Sequence, residues 1–97
     1  MPQAARTTDP ISPHSPCSPG QCGVGSSNVI IQGLQAYRVG DSTMPHQVPP
    51  LCGLHVKKLV EGSHNVIVNN QPAGRVNDGH ECGIVVVSGA SKVIING

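Results

Sequence analysis

The residues Gly25 to Asp41, GSSNVIIQGLQAYRVGD, return without a gap 37 positions later, where Gly62 to Asp78 read GSHNVIVNNQPAGRVND. Both copies share the opening Gly-Ser, the Asn-Val-Ile, the Arg-Val and the closing Asp. A third copy is split across the chain ends: Gly89 to Gly97, GASKVIING, supplies its first half and Pro2 to Asp9, PQAARTTD, its second. Repeats of this size bury a shared core that no single unit could build alone. A chain cut in the middle of one repeat must therefore bring its two ends together.

Each copy carries the same local physics. Val29-Ile30-Ile31, Val66-Ile67-Val68 and Val93-Ile94-Ile95 are β-branched and predict short strands. Gln32-Gly33, Asn69-Asn70 and Asn96-Gly97 follow, and residues of these types tolerate the positive φ of a tight hairpin turn. Arg38-Val39, Arg75-Val76 and Arg6-Thr7 are expected to form the returning strands, and Cys82 to Val87 a further apolar strand. The pattern predicts a mostly β, small pseudo-threefold structure of three hairpin repeats in a single domain, residues 1–97.

Composition then says what such an object lacks. The chain of 97 residues has no Phe, no Trp and a single Tyr, with twelve Gly and nine Pro. Its core must come from Val, Ile, Leu and Ala, which bury less apolar surface per side chain than aromatics. A small domain with so thin a core needs a staple. Only 11% of residues are charged, the net charge is +1, and aromatic stacking platforms are missing, which argues against nucleic acid as a partner. Met1 to Thr8 has no apolar stretch of the signal-peptide type, so assembly in the bacterial cytoplasm is expected. In that compartment the four cysteines (17, 22, 52 and 82) and five histidines (14, 46, 55, 64 and 80) read as reduced thiols and a metal site rather than disulfides.

The candidate ligands sit in three connectors rich in Pro and Gly: 10–24, 42–61 and 79–88. Loops this long without structure of their own are uncommon in a compact domain unless they are functional.

At this point the residues resemble a known family. Gln71-Pro72-Ala73-Gly74-Arg75 and Pro2-Gln3-Ala4-Ala5-Arg6 are similar to the Pro-Ala-Ala-Arg motif of PAAR-repeat proteins, the sharp cones that tip the central spikes of contractile phage tails and type VI secretion systems. The resemblance covers essentially the whole chain. The first copy departs from it, lacking the Pro and carrying Tyr37, and Asn77 stands where a Gly is usual before Asp78.

The resemblance implies a cone with one zinc near its apex, held by three His and one Cys. Counting from the closing Asp of each copy (Asp9, Asp41 and Asp78), His14, His46 and Cys82 look like the family's connector ligands, and His55 is expected as the fourth. His80, two residues before Cys82, is the alternative. On spacing alone, Cys17, Cys22, Cys52 and His55 form a rival cage. Without a metal role, those three cysteines read as small buried hydrophobes, and a Cys17–Cys22 disulfide is expected only outside the cell. Zinc suits four N/S ligands; iron is compatible with the same ligand types.

The implied function is mechanical: a non-enzymatic tip, one per trimer, capping a trimeric β-helical spike and touching the target membrane during piercing. It would then reside on a virion tail or leave the cell with the spike. The 97 residues read as a naked tip without a toxin domain, and no phosphate loop, HExxH or paired catalytic carboxylates occur. Two other classes compete: a small zinc-binding interaction module unrelated to any spike, and a thiol enzyme.

Overall fold

Two-residue turns organise the repeats. In a computed structural model that describes residues 2–15 and 17–95, Gln32 and Gly33 have φ of 47° and 85°, and Asn69 and Asn70 have 52° and 68°. Positive φ at both central positions is what a two-residue β-hairpin loop requires, because only that twist matches the strands it joins. The turns set the register at once, so that Ile30 faces Gln35 and Ile67 faces Pro72. The equivalent pair in the third copy is Ile94 and Gln3, from opposite ends of the chain. Ala4 N–H donates to Val93 O and Ile95 N–H to Pro2 O, both at 2.9 Å, as hairpin partners do. The turn expected at Asn96-Gly97 lies outside the described residues.

In chain order the strands are β1 (Pro10–Ile11), β2 (Gly20–Gln21), β3 (Ile30–Ile31), β4 (Leu34–Gln35), β5 (His46–Val48), β6 (Gly53–His55), β7 (Ile67–Val68) and β8 (Gln71–Pro72). They pair as antiparallel neighbours, and no helix occurs among the described residues. Two expectations are corrected here. The connectors are not structureless, since β1–β2 and β5–β6 are hairpins within them. The returning strand of each repeat is β4 or β8, not the Arg-Val step, because a two-residue turn exhausts the hairpin before Arg38 or Arg75 is reached.

The Arg residues instead bridge to the neighbouring copy: Arg38 to Ala73, Arg75 to Ala4 and Arg6 to Ala36. Around the pseudo-threefold axis the backbone closes into rings. Tyr37 N–H donates to Ala5 O (3.0 Å), Ala5 N–H to Gly74 O (3.0 Å) and Gly74 N–H to Tyr37 O (2.8 Å). A second ring runs in the opposite sense, from Val39 to Pro72, Val76 to Gln3 and Thr7 to Gln35, each at 2.9 Å. Such closure leaves no open edge at the level of the rings. The repeat-opening glycines make it sterically feasible: a Cβ on Gly25 or Gly89 would collide with the carbonyl oxygen of Ala36 or Ala4.

In every copy a turn of the type II pattern follows, with positive φ at its third residue: Thr8 (68°), Gly40 (93°) and Asn77 (75°). The closing Asp accepts the Arg backbone N–H and is bidentate with the guanidinium, with ion-pair distances of 3.0, 2.9 and 2.9 Å for Arg6–Asp9, Arg38–Asp41 and Arg75–Asp78. Asn77 thus keeps the geometry expected of Gly.

Two small cores stack along a body of 38 × 24 × 23 Å. One gathers the motif alanines Ala4, Ala36 and Ala73 with Val68, Ala90 and Ile95 between the hairpins. The other, built on the ring residues Ala5 and Tyr37, adds Ile11, Cys22, Leu59, Ile84 and Val86 from the connectors. Residues 82–87 do not form the expected strand; Val85 and Val86 make only single bridges, to Gly79 and Ile11.

Candidate metal centre

The connectors converge beyond the second core. β5 and β6 pair so that His46 stands directly opposite His55, which puts both imidazoles on one face of the hairpin. Their Nε2 atoms are 2.7 Å apart. His14, three residues past β1, stacks on His46 with ring centroids 5.3 Å apart and reaches His55 Nε2 at 3.1 Å. Cys82 comes from the third connector and packs against the core. The donor atoms of His14, His46, His55 and Cys82 all lie within 4.8 Å of one another.

This set can hold a metal ion. Zinc–nitrogen bonds of about 2.0 Å and zinc–sulfur bonds of about 2.3 Å in a tetrahedron place ligand atoms roughly 3.3–3.6 Å apart. The separations found here bracket that spacing. The donors are three imidazoles and a thiol, the types that suit zinc and related borderline ions.

The surroundings prepare His46 for the role. Its Nδ1 lies 3.3 Å from Met44 O and 3.0 Å from Thr43 Oγ1. A proton on Nδ1 donated to the Met44 carbonyl leaves Nε2 with its lone pair turned into the cluster, the usual way a partner outside the ligand set fixes a ligand's tautomer. Burial is the first cause that holds His46 below the ordinary imidazole pKa of 6.5. His55 is lowered too, by desolvation and then by the neighbouring His46, His14 and Lys57. Neutral imidazoles are the form a metal takes.

The structure puts the alternative fourth ligand elsewhere. His80 is buried, with Nδ1 3.2 Å from Ile84 O and Nε2 2.9 Å from the Tyr37 hydroxyl. Nδ1–H donates to the carbonyl and Nε2 accepts from the phenol, so both ring nitrogens are already engaged. Among the described residues no buried side-chain polar atom is left without a partner.

The rival cysteine cage is not assembled. Cys17 and Cys52 form a disulfide, which corrects the expectation of reduced thiols, and Cys22 is a fully buried free thiol whose pKa burial drives upwards. Nothing in the spacing of Cys17 and Cys52 announced their pairing. It arises because the β5–β6 turn and the first connector fold over the same face. His64 is exposed at the opening of the second repeat. The cross-strand pairing of His46 and His55 was the missed signal, since Pro49-Pro50 midway between them marks a turn.

A search of curated proteins finds no match. The family model of the PAAR motif matches residues 12–88, which takes in both whole repeats and all four candidate ligands and leaves out the two halves of the split copy. With the threefold hairpin rings and the His/Cys cluster beside it, that match shows that the chain belongs to the PAAR motif family.

Proposed function

We propose that this chain is a non-enzymatic, zinc-pinned tip that caps a trimeric β-helical spike, one tip per trimer, and enters the target membrane first. The PAAR motif family is associated with the spike tips of contractile injection systems, which supports the general role. The observation that carries the finer reading is at the hairpin end. Ile30, Ile67 and Ile94 occupy the same position in the three copies and are 58%, 57% and 47% exposed. Three equivalent apolar side chains around one axis are what a single chain needs in order to seat on a threefold partner. Burying them against strand ends of the spike removes apolar surface from water at about 25 cal/mol per Å².

At the other end, four protein donors would fill the coordination sphere of zinc and leave no position for a substrate, so the ion's part is structural. Structural zinc contributes on the order of 10 kcal/mol to folding, large beside what two small cores supply. In this reading the tip is assembled with its spike in the bacterial cytoplasm and leaves on a phage tail or through a type VI secretion system. Nucleic acid has no part in it.

The test is stoichiometry. Mixed with the trimeric spike of its own system, the chain should elute as one tip per three spike chains by light scattering, and I30D/I67D/I94D should abolish the complex while retaining one zinc per chain. Failure to bind the spike, or a complex of three tips per trimer, would reject the capping role and leave the independent zinc module as the better reading.

A further inference from the structure

The disulfide and the candidate metal centre join the same two segments. Cys17 follows His14 by three residues, and its N–H donates to the His14 carbonyl at 2.6 Å. Cys52 precedes His55 by three residues, in the turn between β5 and β6. The S–S bond closes a sequence separation of 35, and the His14–His55 contact closes one of 41. Further contacts fix the two segments together: Ser18 N–H donates to Gln47 Oε1 at 2.9 Å, and Gly20 packs directly on the Cβ of His46.

We infer that Cys17–Cys52 is a redox-operated lock on the metal centre, coupled to it in both directions. The inference rests on the proposed metal site. Loop closure is the entropic cost of bringing His14 to the β5–β6 hairpin. Once the disulfide has closed nearly the same loop, the ion no longer has to, so the oxidised chain binds it more tightly. Linkage makes the converse hold: the ion holds the two thiols near each other and favours their oxidation by the same factor.

The chemistry is thiol–disulfide exchange. Cys17 and Cys52 lose two electrons and two protons to an external disulfide, such as oxidised glutathione or an oxidoreductase, which is released as two thiols. Of the other cysteines, Cys22 is buried in the core and Cys82 belongs to the cluster, so this pairing spares the thiol the metal needs. In a reducing compartment the ion alone would pin the apex. On reaching an oxidising one the tip would gain a covalent pin beside it, and loss of the ion to competing chelators would slow.

The test uses the full chain and zinc. Oxidised wild type and C17S/C52S are each loaded, checked by elemental analysis, and titrated with a chromophoric chelator. Wild type should hold zinc about 10- to 100-fold more tightly, the common range for coupling between two sites. In a second arm, which needs no substitution, wild type is equilibrated with glutathione buffers with and without zinc, and Cys17 and Cys52 are scored by alkylation and peptide mass. Zinc should shift the oxidised-to-reduced ratio towards the disulfide by a similar factor. Equal zinc affinity in the two proteins, or a thiol–disulfide ratio indifferent to zinc, would overturn the coupling while leaving the metal site standing. Absence of bound zinc from both proteins would overturn the metal site itself, and the coupling with it.

Discussion

Thr8, Gly40 and Asn77 hold the same turn position with the same sign of φ but carry different side chains. For Gly and Asn a positive φ is inexpensive; for a β-branched residue it is strained by about 1–2 kcal/mol. Thr8 is exposed and its backbone N–H donates to Cys22 O at 2.9 Å, so its side chain contributes little packing in return. Thr8→Asn should therefore stabilise the protein by about 1 kcal/mol, raising Tm by roughly 4–8 °C in a scan of the metal-loaded chain. Tyr37 is the opposite case. At the ring position its equivalents are Gly74 and Ala5, and a Cβ on Gly74 would already press on Leu59 and the Tyr37 carbonyl. The axis has room for one large side chain, and Tyr37 fills it. Tyr37→Ala should cost about 3–5 kcal/mol by cavity formation. Tyr37→Phe should cost about 1–3 kcal/mol, because buried His80 Nε2 loses its donor. Denaturant unfolding of the two variants measures both; equal losses would mean that the hydroxyl, not the ring, is what matters.

The connector hairpins are the elements that build the candidate metal centre. The strands β1 and β2 were not legible because Pro10-Ile11 and Gly20-Gln21 carry neither an alternating pattern nor a β-branched run, and the β5–β6 hairpin was marked only by Pro49-Pro50. What was legible was the candidate set: the family resemblance, with the register of each closing Asp, pointed to His14, His46 and Cys82 and added His55 from the long connector, whereas only the pairing of β5 with β6 sets His46 against His55. That pairing has a consequence for acid stability. The folded state holds His46 and His55 below 6.5, so as pH drops the unfolded chain takes up protons first. Stability is full above about 6.5 and is lost progressively beneath it, and competition between protons and metal acts in the same direction. Melting curves at pH 7.5, 6.0 and 5.0 should show Tm falling with pH; a flat profile would mean that the imidazoles are not neutral in the fold. Removal of metal at pH 7.5, or His46→Ala, should likewise lower Tm by more than 10 °C, given that structural zinc contributes on the order of 10 kcal/mol.

At the scale of the whole molecule, the split repeat is the feature with the clearest consequence. Pro2 and Ile95 are hydrogen-bonded hairpin partners, so a peptide joining the ends crosses a gap the fold has already closed. A circular permutant joined there and opened at Gln32-Gly33, an exposed turn, should fold to the same structure, bind the same metal and unfold within about 2 kcal/mol of the parent, because one hairpin is merely exchanged for another as the non-covalent one. Metal stoichiometry and a urea titration would decide it. A permutant that failed to fold would mean that the first repeat, with Tyr37, must be covalently whole for the rings to close.

The threefold body was determined by the sequence alone, because its physics is local and stated more than once. β-branched triplets followed by residues tolerant of positive φ make a hairpin wherever they occur, and the Arg-x-x-Asp turn recurs behind each. The shortage of aromatics likewise announced the need for a pin. Tertiary structure decided what lies between the copies. Whether His80 is a ligand or the partner of Tyr37, whether Cys17 pairs with Cys22 or Cys52, and whether His14 meets His55 all depend on which segments meet across the axis. Those meetings join residues 35 to 43 positions apart. No short-range pattern encodes such a distance; only closure of the rings brings it to zero.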